Sequence, residues 1–189
     1  VRAAVLLSVV FAATWFISTA MAAHLPRLLQ AAGVSLGAAV LVGALIGPAQ
    51  VAARLLEFGL LQRVHPLTSA RLAAVLHPAG VLALGLLGAP AAWLFGVLHG
   101  AGNGILTIAK GTLPLVIFGP RGYGHRQGLL MVPARALQAA APWLFGLAID
   151  RFGAGALGLS AAVGLLAALA LWLLPEVAVK AAEKATANP

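Results

Sequence analysis

The sequence predicts an all-α membrane protein with six transmembrane helices, and three observations lead to that fold class. The chain of 189 residues is 62% hydrophobic and 8% charged, and its mean hydropathy is +1.02. Soluble domains are about 45–50% apolar and about 25% charged, so this much apolar surface requires a bilayer. The apolar residues also fall into runs close to the roughly 20 residues that a spanning helix needs.

Six apolar runs are separated by turn residues. Short polar or glycine- and proline-rich stretches divide them, the longest being Gly119–Arg126, and the chain is expected to turn already at His24–Arg27. We therefore expect a six-helix transmembrane unit over residues 1–175 and a polar cytoplasmic tail over 176–189. The predicted helices are Ala3–Ala23, Leu36–Leu61, Leu72–Leu87, Ala91–Phe118, Leu129–Ala148 and Leu157–Leu174.

The basic residues predict an orientation. Only Arg27 and Arg151 fall on the side of the first, third and fifth loops. Lys and Arg accumulate on cytoplasmic loops, so both termini are expected in the cytoplasm, and the Ala-, Leu- and Arg-rich composition favours a bacterial inner membrane. The opposite side carries Arg2, Arg54, Arg63, Arg71, Arg121, Arg126, Lys180 and Lys184.

Charge and composition exclude several function classes. The net charge is +8, but the cations are spread singly between apolar runs, which argues against nucleic-acid binding. The chain has no cysteine, which excludes disulfides, thiol catalysis and Cys-ligated metals. His24, His65, His77 and His125 lack metal-ligand spacing, so neither a metal nor a cofactor is expected.

The fourth predicted helix carries a polar stripe. His99, Asn103, Thr107 and Lys110 are spaced four, four and three residues apart, so they share one helical face. Polar side chains are costly toward lipid, so this face is expected either to line a substrate path or to make interhelical hydrogen bonds, with Lys110 reaching the interface.

The same helix has glycines at every fourth position. Gly96, Gly100 and Gly104 form a double small-xxx-small pattern, which is typical of close helix packing. Glycine also permits a helix to bend, which a moving transporter can use.

Arg135 and Gln138 lie near the middle of the fifth predicted helix, between Pro133 and Pro142. An Arg at the bilayer centre costs on the order of 2.5–3.5 kcal/mol. A carboxylate partner, a water-filled cavity or an anionic substrate would offset that cost. The prolines are expected to break or kink the helix.

The second and first predicted helices supply further candidates. Gln50 is expected to face the same path, whereas Arg54 and Glu57, three residues apart, are expected to form a gating or structural charge pair. Trp15 is a candidate for lining the path from the first helix, or it simply packs there.

Acidic residues are scarce. The four are Glu57, Asp150, Glu176 and Glu183, and none falls at mid-span. A coupling carboxylate is then expected from another half or subunit, with His99 as the only deep titratable alternative.

One motif raises the question of an enzyme. Gly158-Leu159-Ser160 is similar to an intramembrane serine protease motif, but Ala161 follows the serine where Gly is expected, and every histidine precedes it. We predict no enzymatic activity.

Several segments resemble the C-terminal half of a major facilitator superfamily transporter. Gly100-Ala101-Gly102-Asn103-Gly104 and Gly111-Thr112-Leu113-Pro114 are similar to the tenth helix of that superfamily, and Gly47-Pro48-Ala49-Gln50 with Arg54 is similar to its eighth. Gly146–Gly153 fits its G-x-x-x-D-R-x-G pattern, although after the fifth helix and not after the second, where Gly59–Arg63 lacks the acid.

The resemblance implies a six-helix half built from two inverted three-helix repeats, and an echo of Phe58-Gly59 in Phe145-Gly146 favours them. It implies alternating-access transport of a small solute, with an N-terminal six-helix half as partner. The many cations favour an anionic or polar neutral substrate. A self-contained homodimeric transporter and a non-transporting sensor or scaffold stay open, although a first residue of Val1 favours part of a longer protein.

Overall fold

A computed structural model describes residues 1–59 and 64–174, and within these ranges the chain is helical, without strands. Three-residue 3-10 turns precede the fourth and sixth helices, at Ala89–Ala91 and Gly153–Gly155. The helices are α1 (Arg2–Ala31), α2 (Leu36–Gly59), α3 (Pro66–Leu87), α4 (Ala92–Phe118), α5 (Tyr123–Phe152) and α6 (Ala156–Trp172).

Five helical stretches in the described ranges are long and apolar enough to cross a membrane, where the sequence predicted six. The last stretch, Tyr123–Trp172, is 50 residues long and contains both α5 and α6. α6 alone has 17 residues, fewer than the roughly 20 that a span needs. The prediction of a separate sixth span at Leu157–Leu174 is therefore corrected.

Two predicted turns lie inside helices. α1 continues past His24–Arg27 to Ala31 with Pro26 inside it, because Leu25, Leu28 and Leu29 are buried and hold the last turns in the core. α5 begins at Tyr123 and runs unbroken past Pro133 and Pro142, which shortens the long fourth loop and corrects the expected break. Residues 60–63, which include the predicted end of the second helix at Leu61, and the predicted tail 176–189 lie outside the described residues.

Each helix of the bundle packs against particular neighbours. α4 lies between α2 and α3, whereas α1 packs against α5 and α6, and α3 packs against α6. The buried apolar side chains form two clusters, one around Phe11, Leu113 and Leu171 and one around Leu28 and Phe145. The polar side chains of α4 therefore lie inside the bundle wherever they face α2 or α3.

The glycines of α4 bring it against the backbone of α2. A Cβ added at Gly96, Gly100 or Gly104 would lie 2.8, 2.7 or 2.6 Å from an atom of α2. The nearest atoms are Val42 Cγ1 for Gly96 and the carbonyl oxygens of Ile46 and Gln50 for the other two. This confirms the close packing predicted from the small-xxx-small pattern.

The substitution Gly104→Ala is expected to destabilise the protein because the new methyl group would meet the backbone of Gln50. Overpacking of this kind costs about 1–3 kcal/mol, which should lower the thermal unfolding midpoint in detergent. Gly85→Ala is the matched control, since a Cβ there meets nothing within 4 Å. A Gly104→Ala protein as stable as the Gly85→Ala protein would contradict this packing.

Candidate functional site

Two cations lie over one aromatic ring at the junction of α1, α4 and α5. Lys110 Nζ is 4.3 Å from the centroid of the Trp15 ring, and the guanidinium carbon of Arg135 is 4.8 Å from it. Both distances fall within the roughly 6 Å of a cation–π contact. The structure thus brings together three of the predicted site residues, one from each helix.

Carboxylates do not neutralise these cations. In the described part of the chain the one ion pair joins Arg27 to Asp150, with Nη2 and Oδ1 2.6 Å apart. Arg135 Nη1 donates instead to the neutral Oε1 of Gln138 at 2.8 Å, and Lys110 is 95% buried, with 5% of its surface exposed. We call Trp15, Lys110, Arg135 and Gln138 the cation cluster.

The cation cluster also contains an unused donor. Trp15 Nε1 is buried and has no hydrogen-bond partner, although a buried indole N–H normally finds one. Lys110, Arg135 and Trp15 are all donors, and Lys and Arg cannot accept a hydrogen bond. The arrangement therefore suits a ligand that supplies acceptor oxygens and negative charge.

A proline in α4 explains how Lys110 is positioned. Pro114 has no N–H, so the carbonyl of Lys110, four residues earlier, loses its helical partner. Gln127 Nε2 donates to that carbonyl at 3.0 Å, and Tyr123 Oη donates to the next carbonyl, of Gly111, at 2.9 Å. The start of α5 is thereby attached to the turn of α4 that carries Lys110.

His99 belongs to a second polar group, away from Trp15. His99 Nδ1 lies 3.0 Å from His77 Nδ1 on α3, and His77 Nε2 lies 3.0 Å from Ser160 Oγ on α6. Ser160 Oγ in turn donates to the carbonyl of Leu157 at 2.7 Å. We call Ser160, His77 and His99 the histidine chain.

A cavity of ≈ 360 Å³ lies between α1, α2 and α4. Its wall is mostly apolar, and four polar side chains face it from three helices. A smaller space of ≈ 30 Å³ adjoins both histidines and Asn103. The polar lining of the larger cavity is Ser18, Gln50, His99 and Asn103.

The polar stripe of α4 is therefore divided among the cavity, the cation cluster and the exposed surface. His99 and Asn103 line the cavity, Lys110 joins the cation cluster, and Thr107 is exposed, with its hydroxyl donating to the carbonyl of Asn103 at 2.7 Å. Gln50 reaches the cavity as predicted from its position.

The expected charge pair between Arg54 and Glu57 is not formed. Arg54 Nη2 contacts Gln50 Oε1 at 3.4 Å, and both Arg54 Nε and Glu57 Oε2 are buried without a hydrogen bond. Side chains on a helix tilt toward its N-terminus, so Arg54 reaches back one turn to Gln50 and not forward to Glu57.

Sequence reasoning set His77 aside as isolated and considered Ser160 only within a protease-like motif, so it missed their contact. Polar residues on neighbouring apolar helices seek one another when lipid surrounds the bundle. The presence of His77, His99 and Ser160 within apolar runs was the available signal. Among the described residues, no three His, Asp or Glu side chains are grouped so that they could hold a metal ion.

Comparison with known proteins finds no family model and no curated protein that matches this chain.

Replacing Lys110 by methionine is expected to raise the thermal unfolding midpoint, because it removes a buried cation that pairs with no carboxylate of the described residues. The gain in unfolding free energy should be on the order of 1 kcal/mol, since functional sites commonly sacrifice stability. Leu106→Met, one turn away and equally buried, is the control for the shape change. A Lys110→Met protein that is markedly less stable than this control would show that Lys110 serves packing.

Proposed function

We propose that this chain is an integral membrane protein of the bacterial inner membrane, and that α1–α6 together form one half of a major facilitator-type transporter. It moves a small anion by alternating access, and the cation cluster binds that anion. One observation carries the proposal. Lys110 and Arg135 lie over the same Trp15 ring, and no carboxylate of the described residues forms an ion pair with either of them.

The electrostatics of the cation cluster favour an anion. Two like charges at one site repel each other, and burial makes the repulsion stronger because the effective dielectric constant is lower. The tryptophan face offsets part of this cost, by about 0.5–2 kcal/mol for each cation. An anion bound beside the two cations would offset this repulsion. Trp15 Nε1, which is buried and has no hydrogen-bond partner, is a further donor at the cation cluster.

The exposed side of the cluster supports a path and a partner. Arg135 on α5 and Thr107 on α4 are exposed polar side chains, and Val132 and Leu137 beside Arg135 are exposed as well. Polar side chains at membrane depth face other protein or a water-filled space. This polar face is therefore where a second six-helix unit would enclose the substrate path.

The helix pairings support two three-helix repeats. If α1–α3 and α4–α6 are equivalent repeats, then α1 corresponds to α4, α2 to α5 and α3 to α6. Under this correspondence the α1–α5 pair is equivalent to the α4–α2 pair, and the α3–α4 pair is equivalent to the α6–α1 pair. All four of these pairs pack closely in the structure, and the α3–α6 pair maps onto itself. Transporters built from inverted repeats place their substrate site near the repeat interface, where α1 and α4 carry Trp15 and Lys110.

Two arrangements of the second unit are compatible with this face. An N-terminal half in the same polypeptide and a second copy of this chain would each cover Arg135 and Thr107. The basic residues favour a cytoplasmic N-terminus, which would put the Arg27–Asp150 ion pair on the outer side. A sensor or scaffold without transport is the remaining alternative.

A thermal-shift screen of the protein in detergent, together with its other half where the gene encodes one, tests the anion site. Citrate, succinate, benzoate and phosphate are compared with neutral glucose. An anion should raise the unfolding midpoint of the wild type, and Arg135→Gln should weaken its binding at least tenfold, since charged hydrogen bonds contribute about 1.5–3 kcal/mol.

Arg151→Gln is the matched control, because Arg151 is exposed at the other end of α5 and should leave binding unchanged. Equal stabilisation of the wild type and of Arg135→Gln would remove Arg135 from the site. If no anion stabilises the assembled protein, the transport proposal fails and the scaffold alternative gains support.

A further inference from the structure

The histidine chain is a buried polar connection that the anion site does not use. It crosses three helices, from Ser160 on α6 through His77 on α3 to His99 on α4. The three residues expose 0%, 7% and 3% of their surface. Buried polar groups are costly unless they are paired. We therefore assign each N–H and O–H proton of the histidine chain to a hydrogen bond.

The proton positions follow from one carbonyl group. The Leu157 carbonyl can only accept, so the Ser160 hydroxyl donates to it, and His77 Nε2 must then donate to Ser160 Oγ. A neutral imidazole carries one N–H, which leaves His77 Nδ1 as an acceptor. His99 Nδ1 therefore donates across the 3.0 Å contact, and Nε2 of a neutral His99 is unprotonated.

Within the histidine chain, this unprotonated nitrogen is the one atom that can take up a proton without breaking one of the chain's hydrogen bonds. His99 Nε2 makes no hydrogen bond to a described residue, and the His99 ring lines the ≈ 360 Å³ cavity. A proton from water in the cavity would bind there, and the resulting imidazolium would donate more strongly to His77 through Nδ1.

A second proton has no such place. It would have to bind His77 Nδ1, which already accepts from His99, and two protonated Nδ1 atoms cannot remain 3.0 Å apart as donors. Phe95 stacks on the His99 ring with centroids 5.8 Å apart and planes inclined by 4°. That contact stabilises the singly charged form through a cation–π interaction.

Among the residues that the structure describes, no carboxylate lies beside the histidine chain to fix its charge. The groups that face it are neutral: Thr14 from α1, Gln50 from α2, Asn103 from α4 and Ser160 from α6. The charged groups on the packed helices are farther along them; Lys110 on α4 is eleven residues from His99, which is about 16 Å of helix. The others are Arg2 and Arg27 on α1, Arg54 and Glu57 on α2, Arg71 on α3, and Arg126, Arg135, Asp150 and Arg151 on α5.

We propose that His77 and His99 form a one-proton binding site that couples the movement of a proton to the transport of the anion. The proton enters from and returns to cavity water at His99 Nε2, and no other bond changes. The coupling rests on the proposed function: the two sites are about 16 Å apart along α4, with little water between them to screen charge, so the proton binds more favourably when the anion is bound. The anion in turn binds better when the proton is present.

The proton site itself is tested without any anion. Nitrogen-15 NMR of histidine-labelled full chain in lipid nanodiscs distinguishes protonated from unprotonated ring nitrogens between pH 4 and 8. His77→Gln and His99→Gln assign the signals, and His24→Gln is the control. We expect one protonation step at His99 Nε2 while His77 remains neutral with its proton on Nε2.

Two results would overturn the site. One is independent titration of both rings in the wild type, and the other is the absence of any titration of either ring in this range. Ser160→Ala provides a second test, since it removes the acceptor of His77 Nε2. The His77 proton should then be found on Nδ1 in part of the molecules; an unchanged wild-type pattern would overturn the proton assignment.

The coupling is tested in proteoliposomes that contain a pH-sensitive dye and receive citrate or succinate. Anion uptake should acidify the interior, and His99→Gln should abolish the acidification while anion binding persists. Anion uptake without proton movement in the wild type would overturn the coupling and leave the proposed function intact. A one-proton titration in a protein that binds no anion would overturn the proposed function and leave the proton site intact.

Discussion

The close approach of α4 to the backbone of α2 determines where the functional side chains lie. Three glycines at four-residue intervals permit contacts that any Cβ would prevent, with Gly104 lying against the Gln50 carbonyl. On the opposite face, a Cβ at Gly102 would lie 2.8 Å from the Ala73 carbonyl on α3. α4 is thus held on both sides, and its orientation carries His99 toward α3 and Lys110 toward α1.

The two polar groups then follow from the same constraint. A helix held between two others cannot rotate its polar residues toward solvent, so each must find a partner inside the bundle. His99 finds His77 at 3.0 Å, which pairs the two Nδ1 atoms and leaves His99 Nε2 without a described partner. Lys110 finds only the face of Trp15 and a second cation, Arg135. The proposed proton site is thus a neutral hydrogen-bonded group, and the proposed anion site is a charged group without a described counter-ion.

Local patterns predicted the helices and failed where long-range packing decides. The apolar runs predicted the all-helical architecture, and the glycine spacing predicted the close packing of α4. The expected turn at Pro26 was wrong, because the burial of Leu28 and Leu29 outweighs the one hydrogen bond that a proline removes.

The candidate site was predictable in part for the same reason. Lys110, Arg135 and Trp15 stand out in the sequence because charged and indole side chains are rare in apolar helices. In the structure the two cations lie over the Trp15 ring, so residues selected separately from the sequence contact one another. The partners of His99 were not predictable, because nothing local to His77 or Ser160 indicates which helix each will face. Arg54 and Glu57 had suitable spacing, yet Arg54 reaches Gln50 instead.

Water access to the polar face tests the account most directly. The chain has no cysteine, so Thr107→Cys and Leu165→Cys each introduce one thiol, at exposed positions on the polar face of α4 and the apolar surface of α6. The account predicts that a membrane-impermeant maleimide labels Thr107→Cys in native membranes, that the anion found by screening slows this labelling, and that Leu165→Cys is not labelled until detergent is added. Failure to label Thr107→Cys from either side of the membrane would contradict a substrate path at this face.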